Sequence, residues 1–327
     1  MIYFQVALGL FLLYLGGEML VRGAVTLSRR LGIAPLVIGL TIVAFGTSGP
    51  ELSVSVDAAV SGLPDIAIGN IIGSNICNIL LVLGVSAILC PVKVQPHAVY
   101  RDGTILLGAT LLFVVVVGSG TIWRWEGAGL VALLLAYTVF TYAVERRARA
   151  SDPQRKLHVR EALEIAPLPV KPWVTLLLLA CGIVFLAVGA NQLVTGAASL
   201  ARRIGIDDAV IGVTLVALGT SLPELSTSVV AALRRHPDVA LGNVIGSNIF
   251  NALGIAGAAA LANPLTVAEK FTHSDIWVML ASTALLLPLI MKDWRLSRWY
   301  GALFVLAYAV YVAAQFADLG TPPPYAG

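Results

Sequence analysis

The segment GTSGPELSVSV at residues 46–56 occurs again at residues 219–229 as GTSLPELSTSV, with nine of eleven positions identical. A second pair follows at the same offset along the chain, because GNIIGSNICN at 69–78 matches GNVIGSNIFN at 242–251 in eight of ten positions. The two matches need no gap between them. The chain therefore contains two copies of one structural unit.

The composition places both copies in a membrane. Of the 327 residues, 58% are hydrophobic and only 12% are charged, and the mean hydropathy is +0.89. A soluble domain has about 25% charged residues, so this chain lacks the polar residues that would cover a water-soluble surface. The formal net charge of +3 provides no basic excess for nucleic acid. We expect a lipid bilayer as the surroundings and no nucleic-acid partner.

The N-terminal segment and the cysteines agree with this interpretation. Residues 1–20 have neither a basic start nor a small-residue cleavage site, so we expect a first membrane helix and not a removable signal. Cys77, Cys90 and Cys181 are too few and too far apart for a disulfide framework or a zinc site. We expect all three to be small, buried apolar side chains.

Long apolar runs predict about ten membrane-spanning helices, since each span requires roughly 20 mostly apolar residues. These runs are 2–28, 35–60, 66–90, 103–120, 126–145, 173–201, 208–233, 239–262, 274–291 and 297–317. A polar stretch divides them into five and five. The predicted domains are a first repeat at 1–145, a linker at 146–172 and a second repeat at 173–327.

The positions of Lys and Arg predict the orientation. Sixteen of them lie on the side of the central linker and four on the opposite side. We therefore predict a multi-pass protein of the cell membrane with a cytoplasmic linker and both termini outside. Because each copy has an odd number of helices, the second copy crosses the membrane in the opposite sense. The predicted fold class is an all-α integral membrane protein with two inverted-topology repeats, an architecture whose ion sites lie between the repeats near the midplane.

Each repeated motif places a carboxylate in the middle of an apolar run. Glu51 and Glu224 directly follow Pro50 and Pro223, and proline lacks an N–H and clashes with the carbonyl four residues back. We expect each helix to break near residues 46–47 or their equivalents and to leave carbonyls that point inward. An ionisable residue at this depth costs about 2.5 to 3.5 kcal/mol on insertion scales, so it indicates a functional site.

Neutral oxygens accompany both glutamates. A threonine and a serine precede each glutamate, and the next helix carries a serine and an asparagine at i and i+4, on one face. These residues are Thr47, Ser48, Ser74 and Asn78 in the first copy and Thr220, Ser221, Ser247 and Asn251 in the second. Gly69 and Gly73, and equally Gly242 and Gly246, are expected to pack this helix closely against the broken one.

The relation between the copies is expected to bring Glu51 and Glu224 together. At about 5 Å and an effective dielectric near 20, two carboxylates repel by about 3 kcal/mol, so they require cations or protons. With the carbonyls of Thr47 and Thr220 they supply about six oxygens, within the six to eight that Ca2+ takes. Mg2+ fits poorly because it demands octahedral geometry, and no nearby His or Cys favours zinc or copper.

The paired motifs GTSGPEL with GNIIGSN and GTSLPEL with GNVIGSN resemble the alpha-1 and alpha-2 repeats of the cation/Ca2+ exchanger superfamily, especially its prokaryotic sodium/calcium exchanger branch. The resemblance covers both halves. It implies that Glu51 and Glu224 bind Ca2+ together with the carbonyls of Thr47 and Thr220. It also implies Na+ sites at the same glutamates, and further groups complete them: the carbonyls of Ala44 and Ala217 and the hydroxyls of Ser48, Ser221, Ser74 and Ser247.

Further features of the family pattern concern the centre of the site and the moving parts. The family's central polar pair corresponds to Asn78 and Asn251, and Asn251 stands where some members, including K+-dependent ones, have Asp, which argues against K+ dependence. Gly49 stands where the second copy has Leu222, which is expected to loosen the first break. The resemblance also implies that the first and sixth helices move during transport.

These observations predict a secondary-active antiporter, not an enzyme, that exchanges Na+ for Ca2+ by alternating access while both cations compete for the glutamates. The expected partners are the transported ions, and no prosthetic group is expected. Ca2+/H+ antiport is the alternative, with protons on the paired carboxylates. A passive channel or a Ca2+-sensing scaffold is an alternative of a different class. Stoichiometry and oligomeric state stay open.

Other polar residues in the apolar runs have simpler explanations. Glu18 and Arg22 are four residues apart and are expected to pair with each other. Asp57, whose counterpart is Val230, is expected at a solvated helix end. Four helical serines are expected to bond their own helix backbone; they are Ser53, Ser55, Ser226 and Ser228. The serines and asparagines of the second motif also have the alternative role of interhelical hydrogen-bond partners.

Overall fold

The computed structural model describes residues 2–93, 96–151, 171–203, 217–293 and 295–319. Its helices are α1 (Ile2–Leu31), α2 (Pro35–Thr47), α3 (Gly49–Val60), α4 (Pro64–Leu89), α5 (Pro96–Gly118), α6 (Arg124–Ser151), α7 (Pro172–Arg203), α8 (Ala217–Thr220), α9 (Leu222–Leu233), α10 (Pro237–Ala262), α11 (Ile276–Asp293) and α12 (Arg298–Leu319). Four short strands are β1 (Val92–Lys93), β2 (Thr121–Ile122), β3 (Leu265–Thr266) and β4 (Arg295–Leu296).

The helices confirm the all-α membrane fold. Among the described residues, α1, α4, α5, α6, α7 and α10 are each long and apolar enough to cross a membrane, and α2 with α3 forms a seventh span that is bent by 46°. The start of the predicted seventh run and most of the predicted linker lie outside the described residues. α6 continues to Ser151, beyond the predicted end of the first repeat at residue 145.

Proline explains the two breaks. Pro50 and Pro223 occupy the first turns of α3 and α9, where a missing N–H leaves no helical bond unmade. The chain leaves helical geometry at Ser48 (φ −79°, ψ 11°) and at Ser221 (φ −89°, ψ 4°). The break therefore comes just after the predicted residues 46–47, because proline disturbs the turn that precedes it and tolerates the turn that it begins.

Two small ribbons show the inverted relation of the halves. β1, which follows α4, pairs antiparallel with β4, which lies between α11 and α12. β2 pairs in the same way with β3. Under the offset that relates the two copies, β1 corresponds to β3 and β2 to β4, so each ribbon joins two loops that are not equivalent. These loops share a face of the protein because the second half crosses the membrane in the opposite sense.

A seam of glycines joins α1 and α7. The glycines recur every seven residues in both helices, as Gly9, Gly16 and Gly23 and as Gly182, Gly189 and Gly196. A Cβ on Gly16 would lie 2.8 Å from the backbone N of Leu186, and one on Gly182 would lie 2.8 Å from that of Leu20. The two helices thus run antiparallel in backbone contact, as small residues allow in membranes.

The buried helices α4 and α10 form the centre of the molecule. Gly242 lies against Gly39 and the Leu36 carbonyl, and Gly246 lies against the Leu40 carbonyl. The predicted close packing against a broken helix is therefore found between copies, since α10 of the second copy contacts α2 of the first. The residues equivalent to Gly39 and Leu40 in the second copy lie outside the described residues.

The cysteines differ from expectation. Cys77 is buried in α4, whereas Cys90 and Cys181 are partly exposed. The prediction of burial is right for Cys77 and wrong for the other two, because Cys90 follows the last turn of α4 and Cys181 lies on a partly exposed face of α7.

The glycine seam predicts that Gly16→Val lowers the stability of the protein by at least about 1 kcal/mol, because the added carbons would force the α1 and α7 backbones apart. The measurement is the melting temperature in detergent. Gly108→Ala is the control, since a Cβ at Gly108 meets no atom of the described residues within 4 Å. An equal melting temperature for Gly16→Val and the wild type would contradict the packing described.

Candidate cation-binding site

The two glutamates of the repeated motif meet at the helix breaks. Glu51 and Glu224 are fully buried in the first turns of α3 and α9, and their carboxyl groups are close enough to interact directly. The hydroxyl of Ser48 donates to Oε1 of Glu224 over 2.7 Å, and the hydroxyl of Ser221 donates to Oε1 of Glu51 over 3.3 Å. Each carboxyl group is therefore held by the break serine of the other copy.

The second motif places its polar residues at the same level. Ser74, Asn78, Ser247 and Asn251 are all buried, and the Oγ atoms of Ser74 and Ser221 are 3.3 Å apart. α4 winds as a π-helix from Asn78 to Leu83, and α10 does so from Phe250 to Ile255. π-helical turns of this kind are frequent at functional sites.

Several buried polar atoms in this region have no hydrogen-bond partner within the described part of the chain. They are Oε2 of Glu51, Oε2 of Glu224, Oγ of Ser247 and both amide atoms of Asn78 and Asn251. A buried polar group without a partner costs about 1 to 3 kcal/mol, and native proteins contain few of them. Oxygens of this kind are the ligands that hard cations take, so the residues present suit a cation such as Ca2+ or Na+.

The threonines of the breaks bond the asparagines that lie next to the glutamates. Oγ1 of Thr47 is 3.2 Å from both the Ala44 carbonyl and Oδ1 of Asn243, and Oγ1 of Thr220 donates to Oδ1 of Asn70 over 3.2 Å. The hydroxyl of Thr47 also lies within reach of the Glu224 carboxyl group, so both break threonines belong to the polar network around the glutamates.

For the two alanines of the predicted set, the group of interest is the backbone carbonyl. Ala44 is buried, and its carbonyl also accepts the N–H of Ser48 over 3.0 Å. Ala217 begins α8, and its side chain is outside the described residues. In the described residues no three His, Cys, Asp or Glu side chains converge to hold a metal ion.

Sequence reasoning missed Asn70 and Asn243. Both amides donate to a serine that was expected to bond its own helix, Ser55 over 2.9 Å and Ser228 over 3.1 Å respectively. An asparagine of the neighbouring helix therefore reaches both serines. The expectation itself is wrong for Ser226, whose hydroxyl donates to the Leu13 carbonyl of α1 and not to its own helix. The available signal was the recurrence of Asn directly after the first glycine of both copies of the GN motif.

A cavity of about 590 Å³ reaches the site between α7 and α3. Gly49, Pro50 and Ser53 line it on α3, and Ala190 and Asn191 line it on α7. Thr47 and Thr220 also border the cavity, so it extends from the breaks toward the end of α3. Asp57, one turn beyond Ser53, is exposed, in line with the expected solvated helix end.

The equivalent space between α1 and α9 is filled. The hydroxyl of Ser226 donates to the Leu13 carbonyl over 2.7 Å, and a Cβ on Gly17 would lie 3.1 Å from Ser226 Oγ. Glu18 pairs with Arg22 as expected and also accepts from Arg234 at the end of α9, over 2.7 Å and 2.8 Å. The site is therefore covered on the side of α9 and approachable on the side of α3.

Comparison with known proteins places the chain among ion exchangers. The profile of the Sodium/calcium exchanger protein family matches residues 1–143 and 174–317. The Sodium/calcium exchanger MaX1 of Methanosarcina acetivorans is 35% identical over 94% of this chain and 97% of its own length. A solved structure of the sodium-calcium exchanger NCX_Mj superposes with a TM-score of 0.82 at 34% identity, over 96% of this chain and 98% of that chain. The Ca(2+)/H(+) antiporter ChaA of Bacillus subtilis is 25% identical over 90% of this chain and 87% of its own length.

The one-sided cavity predicts unequal reactivity at two equivalent positions. After replacement of Cys77, Cys90 and Cys181 by alanine, Ser53→Cys should react with a water-soluble maleimide much faster than Ser226→Cys. Ser53 is exposed in the cavity, whereas Ser226 lies under α1 and bonds its backbone. Mass spectrometry of timed samples measures both rates, and equal rates would show that the two sides are equally open.

Proposed function

The chain belongs to the sodium/calcium exchanger protein family, and from this we propose that it is a secondary-active antiporter that exchanges Na+ for Ca2+ across the membrane. The observation that carries the proposal is the buried pair of Glu51 and Glu224, each with an oxygen that has no partner within the described residues. Two negative charges in an apolar interior need positive charge beside them. One divalent ion or several monovalent ions would supply it.

The proposed Ca2+ ligands are the carboxylates of Glu51 and Glu224 and the backbone carbonyls of Thr47 and Thr220. The proposed Na+ ligands are the same glutamates with neutral oxygens around them, from Ser48, Ser221, Ser74, Ser247, Ala44 and Ala217. Asn78 and Asn251 are proposed as the central polar pair of the site, as the resemblance to the family implies. Because both cations need the same carboxylates, their binding is mutually exclusive, and mutual exclusion makes the cycle an exchange.

Access from one side at a time is the second requirement of an antiporter. The cavity beside α3 and the closed contact between α1 and α9 support it, since they differ although the helices are equivalent in sequence. We propose that α1 and α7 move together, because their glycine seam holds the two backbones in contact. Their movement would close the cavity at Ser53 and open the equivalent space at Ser226. By the positions of Lys and Arg, the open side is the outer one.

Ca2+/H+ antiport is the second candidate, favoured by the similarity to ChaA of Bacillus subtilis, which is named a Ca(2+)/H(+) antiporter. In this case protons neutralise Glu51 and Glu224 when Ca2+ leaves. The neutral oxygens of the serines and asparagines favour Na+, because a proton needs no ring of ligands.

Flux into proteoliposomes tests the coupling ion. With purified protein, an outward Na+ gradient should drive 45Ca2+ uptake, whereas K+ or pH gradients of equal size should drive little. Uptake that follows the pH gradient without Na+ would establish Ca2+/H+ antiport instead. Currents of single-channel size would contradict any carrier.

An imposed membrane potential tests the stoichiometry in the same vesicles. The resemblance to the family implies three Na+ for one Ca2+, which moves one net charge per cycle, worth about 2.3 kcal/mol per 100 mV. Uptake should then rise as the vesicle interior is made positive with K+ and valinomycin, because three positive charges leave for the two that enter with each Ca2+. An uptake rate that does not change with the membrane potential would show an electroneutral exchange.

The glutamates themselves are tested by Glu51→Gln and Glu224→Gln. Each variant should lose Ca2+ binding by at least about 100-fold, because removal of one charge from a buried charged contact costs about 3 kcal/mol or more. Equilibrium 45Ca2+ binding in detergent measures the affinity. Asp57→Asn removes the same charge from an exposed position of α3 and should leave the affinity nearly unchanged. Wild-type affinity in both Gln variants would contradict the assigned site.

A further inference from the structure

Asn70 makes three hydrogen bonds, and one of them joins the two copies. Its Nδ2 donates to the backbone carbonyl of Glu51 over 3.1 Å and to Oγ of Ser55 over 2.9 Å. Its Oδ1 accepts from the hydroxyl of Thr220 over 3.2 Å. The side chain thus connects α4 and α3 of the first copy to the helix break of the second.

Asn243 repeats this arrangement at the equivalent position of the second copy. Its Nδ2 donates to the carbonyl of Glu224 over 3.4 Å and to Oγ of Ser228 over 3.1 Å. Its Oδ1 accepts from the hydroxyl of Thr47 over 3.2 Å. Every bond of one asparagine has its equivalent at the other, although the cavity and the closed contact are not symmetric. The arrangement is therefore a regular feature of the site and does not depend on the local surroundings of one copy.

The site contains two kinds of asparagine. Asn78 and Asn251 have amide atoms without partners in the described part of the chain, as groups that could face an ion do. Asn70 and Asn243 use both the N–H groups and the oxygen of their amides in bonds to protein. Their N–H groups cannot bind a cation and each oxygen already accepts a threonine hydroxyl, so we assign them a role other than that of a ligand.

One bond of each asparagine, the bond from the break threonine, crosses between the copies. Each asparagine ties the backbone of one glutamate to the break threonine of the other copy. The four residues that are tied in this way, Glu51, Glu224, Thr47 and Thr220, are those whose oxygens form the proposed Ca2+ site. The two side chains therefore determine how far apart these oxygens lie.

We propose that Asn70 and Asn243 are positioning residues that set the ion-size selectivity of the site, favouring Ca2+ over the larger Sr2+. The inference rests on the proposed Ca2+ site. Discrimination between divalent cations depends on cavity size, ligand number and the flexibility of the ligands. If the hydrogen bonds of Asn70 and Asn243 act as two braces that hold the ligand cage at one size, the larger ion binds more weakly than Ca2+, whereas a cage without these braces expands and binds it nearly as well.

Four single variants test the hydrogen bonds of Asn70 and Asn243. Asn70→Ala and Asn243→Ala remove a whole brace, and Thr220→Val and Thr47→Val remove one hydroxyl each while keeping the shape of the side chain and the carbonyl. The dissociation constants of 45Ca2+ and of competing Sr2+ are measured in detergent without Na+. The preference for Ca2+ should fall by about three-fold or more in each variant, as expected when contacting groups are uncoupled.

A double-mutant cycle tests which residues act together. Thr47→Val combined with Asn243→Ala should change the Ca2+/Sr2+ ratio no more than Asn243→Ala alone, because both substitutions break the same bond. Thr47→Val combined with Asn70→Ala should change the ratio by nearly the product of the single effects, because these residues share no hydrogen bond.

Asn263→Ala is the matched control. The Nδ2 of Asn263 donates to the Ala59 carbonyl over 3.0 Å, so this amide also joins the two halves, but it lies at the far end of α3 from the glutamates. This variant should lower the melting temperature without changing the ion ratio. If Asn70 and Asn243 had only a structural role, Asn70→Ala and Asn243→Ala would likewise lower the melting temperature and leave the ion ratio unchanged.

The outcomes separate this inference from the proposed function. A wild type that binds no Ca2+ would overturn both. If the wild type prefers Ca2+ and the folded variants keep this preference, the selectivity role of Asn70 and Asn243 is overturned and the Ca2+ site remains. A wild type that binds both ions equally would also overturn the selectivity role. If the alanine variants do not fold, the Thr→Val variants decide by the same ratio.

Discussion

Two carboxyl groups that face each other in the interior of a membrane protein require positive charge between or beside them. Glu51 and Glu224 are in this position, and the local structure is organised around it. The prolines end α2 and α8 just before the glutamates, so the carboxyl groups lie at helix starts, where backbone dipoles favour negative charge. Asn78 and Asn251 are buried in the π-helical turns of α4 and α10. Each break serine bonds the glutamate of the other copy, so neither half is complete alone.

The duplication explains both the symmetry of the site and the asymmetry of its surroundings. The glutamates, the break residues and Asn70 with Asn243 are equivalent in the two copies, so the proposed ligands come from both halves alike. The approaches are not equivalent. Glu18 is held by Arg22 and Arg234 on the closed side, whereas its counterpart Asn191 borders the cavity. A symmetric site with unequal approaches is what exchange between two sides of a membrane requires.

Much of this architecture could be predicted from the sequence, because its causes are local or repeated. The constant offset between the repeated motifs predicts two halves, the odd helix number predicts their inversion, and proline predicts the breaks to within a residue or two. The contacts made by Asn243, by Arg234 with Glu18 and by Gly246 with α2 depend on which helices become neighbours. Hydropathy and spacing carry no such information. Symmetry supplied one unused signal, since an asparagine that recurs in both copies beside the glutamates is a candidate for a shared role.

The central claim is that one cation is shared by glutamates from the two halves. Crystals soaked in Sr2+ test it directly, because anomalous scattering locates the ion without reference to the protein atoms. The account predicts one strong peak in contact with the carboxylates of both Glu51 and Glu224, which weakens when Na+ is raised. A peak on one glutamate alone, or at a distance from both, would contradict it.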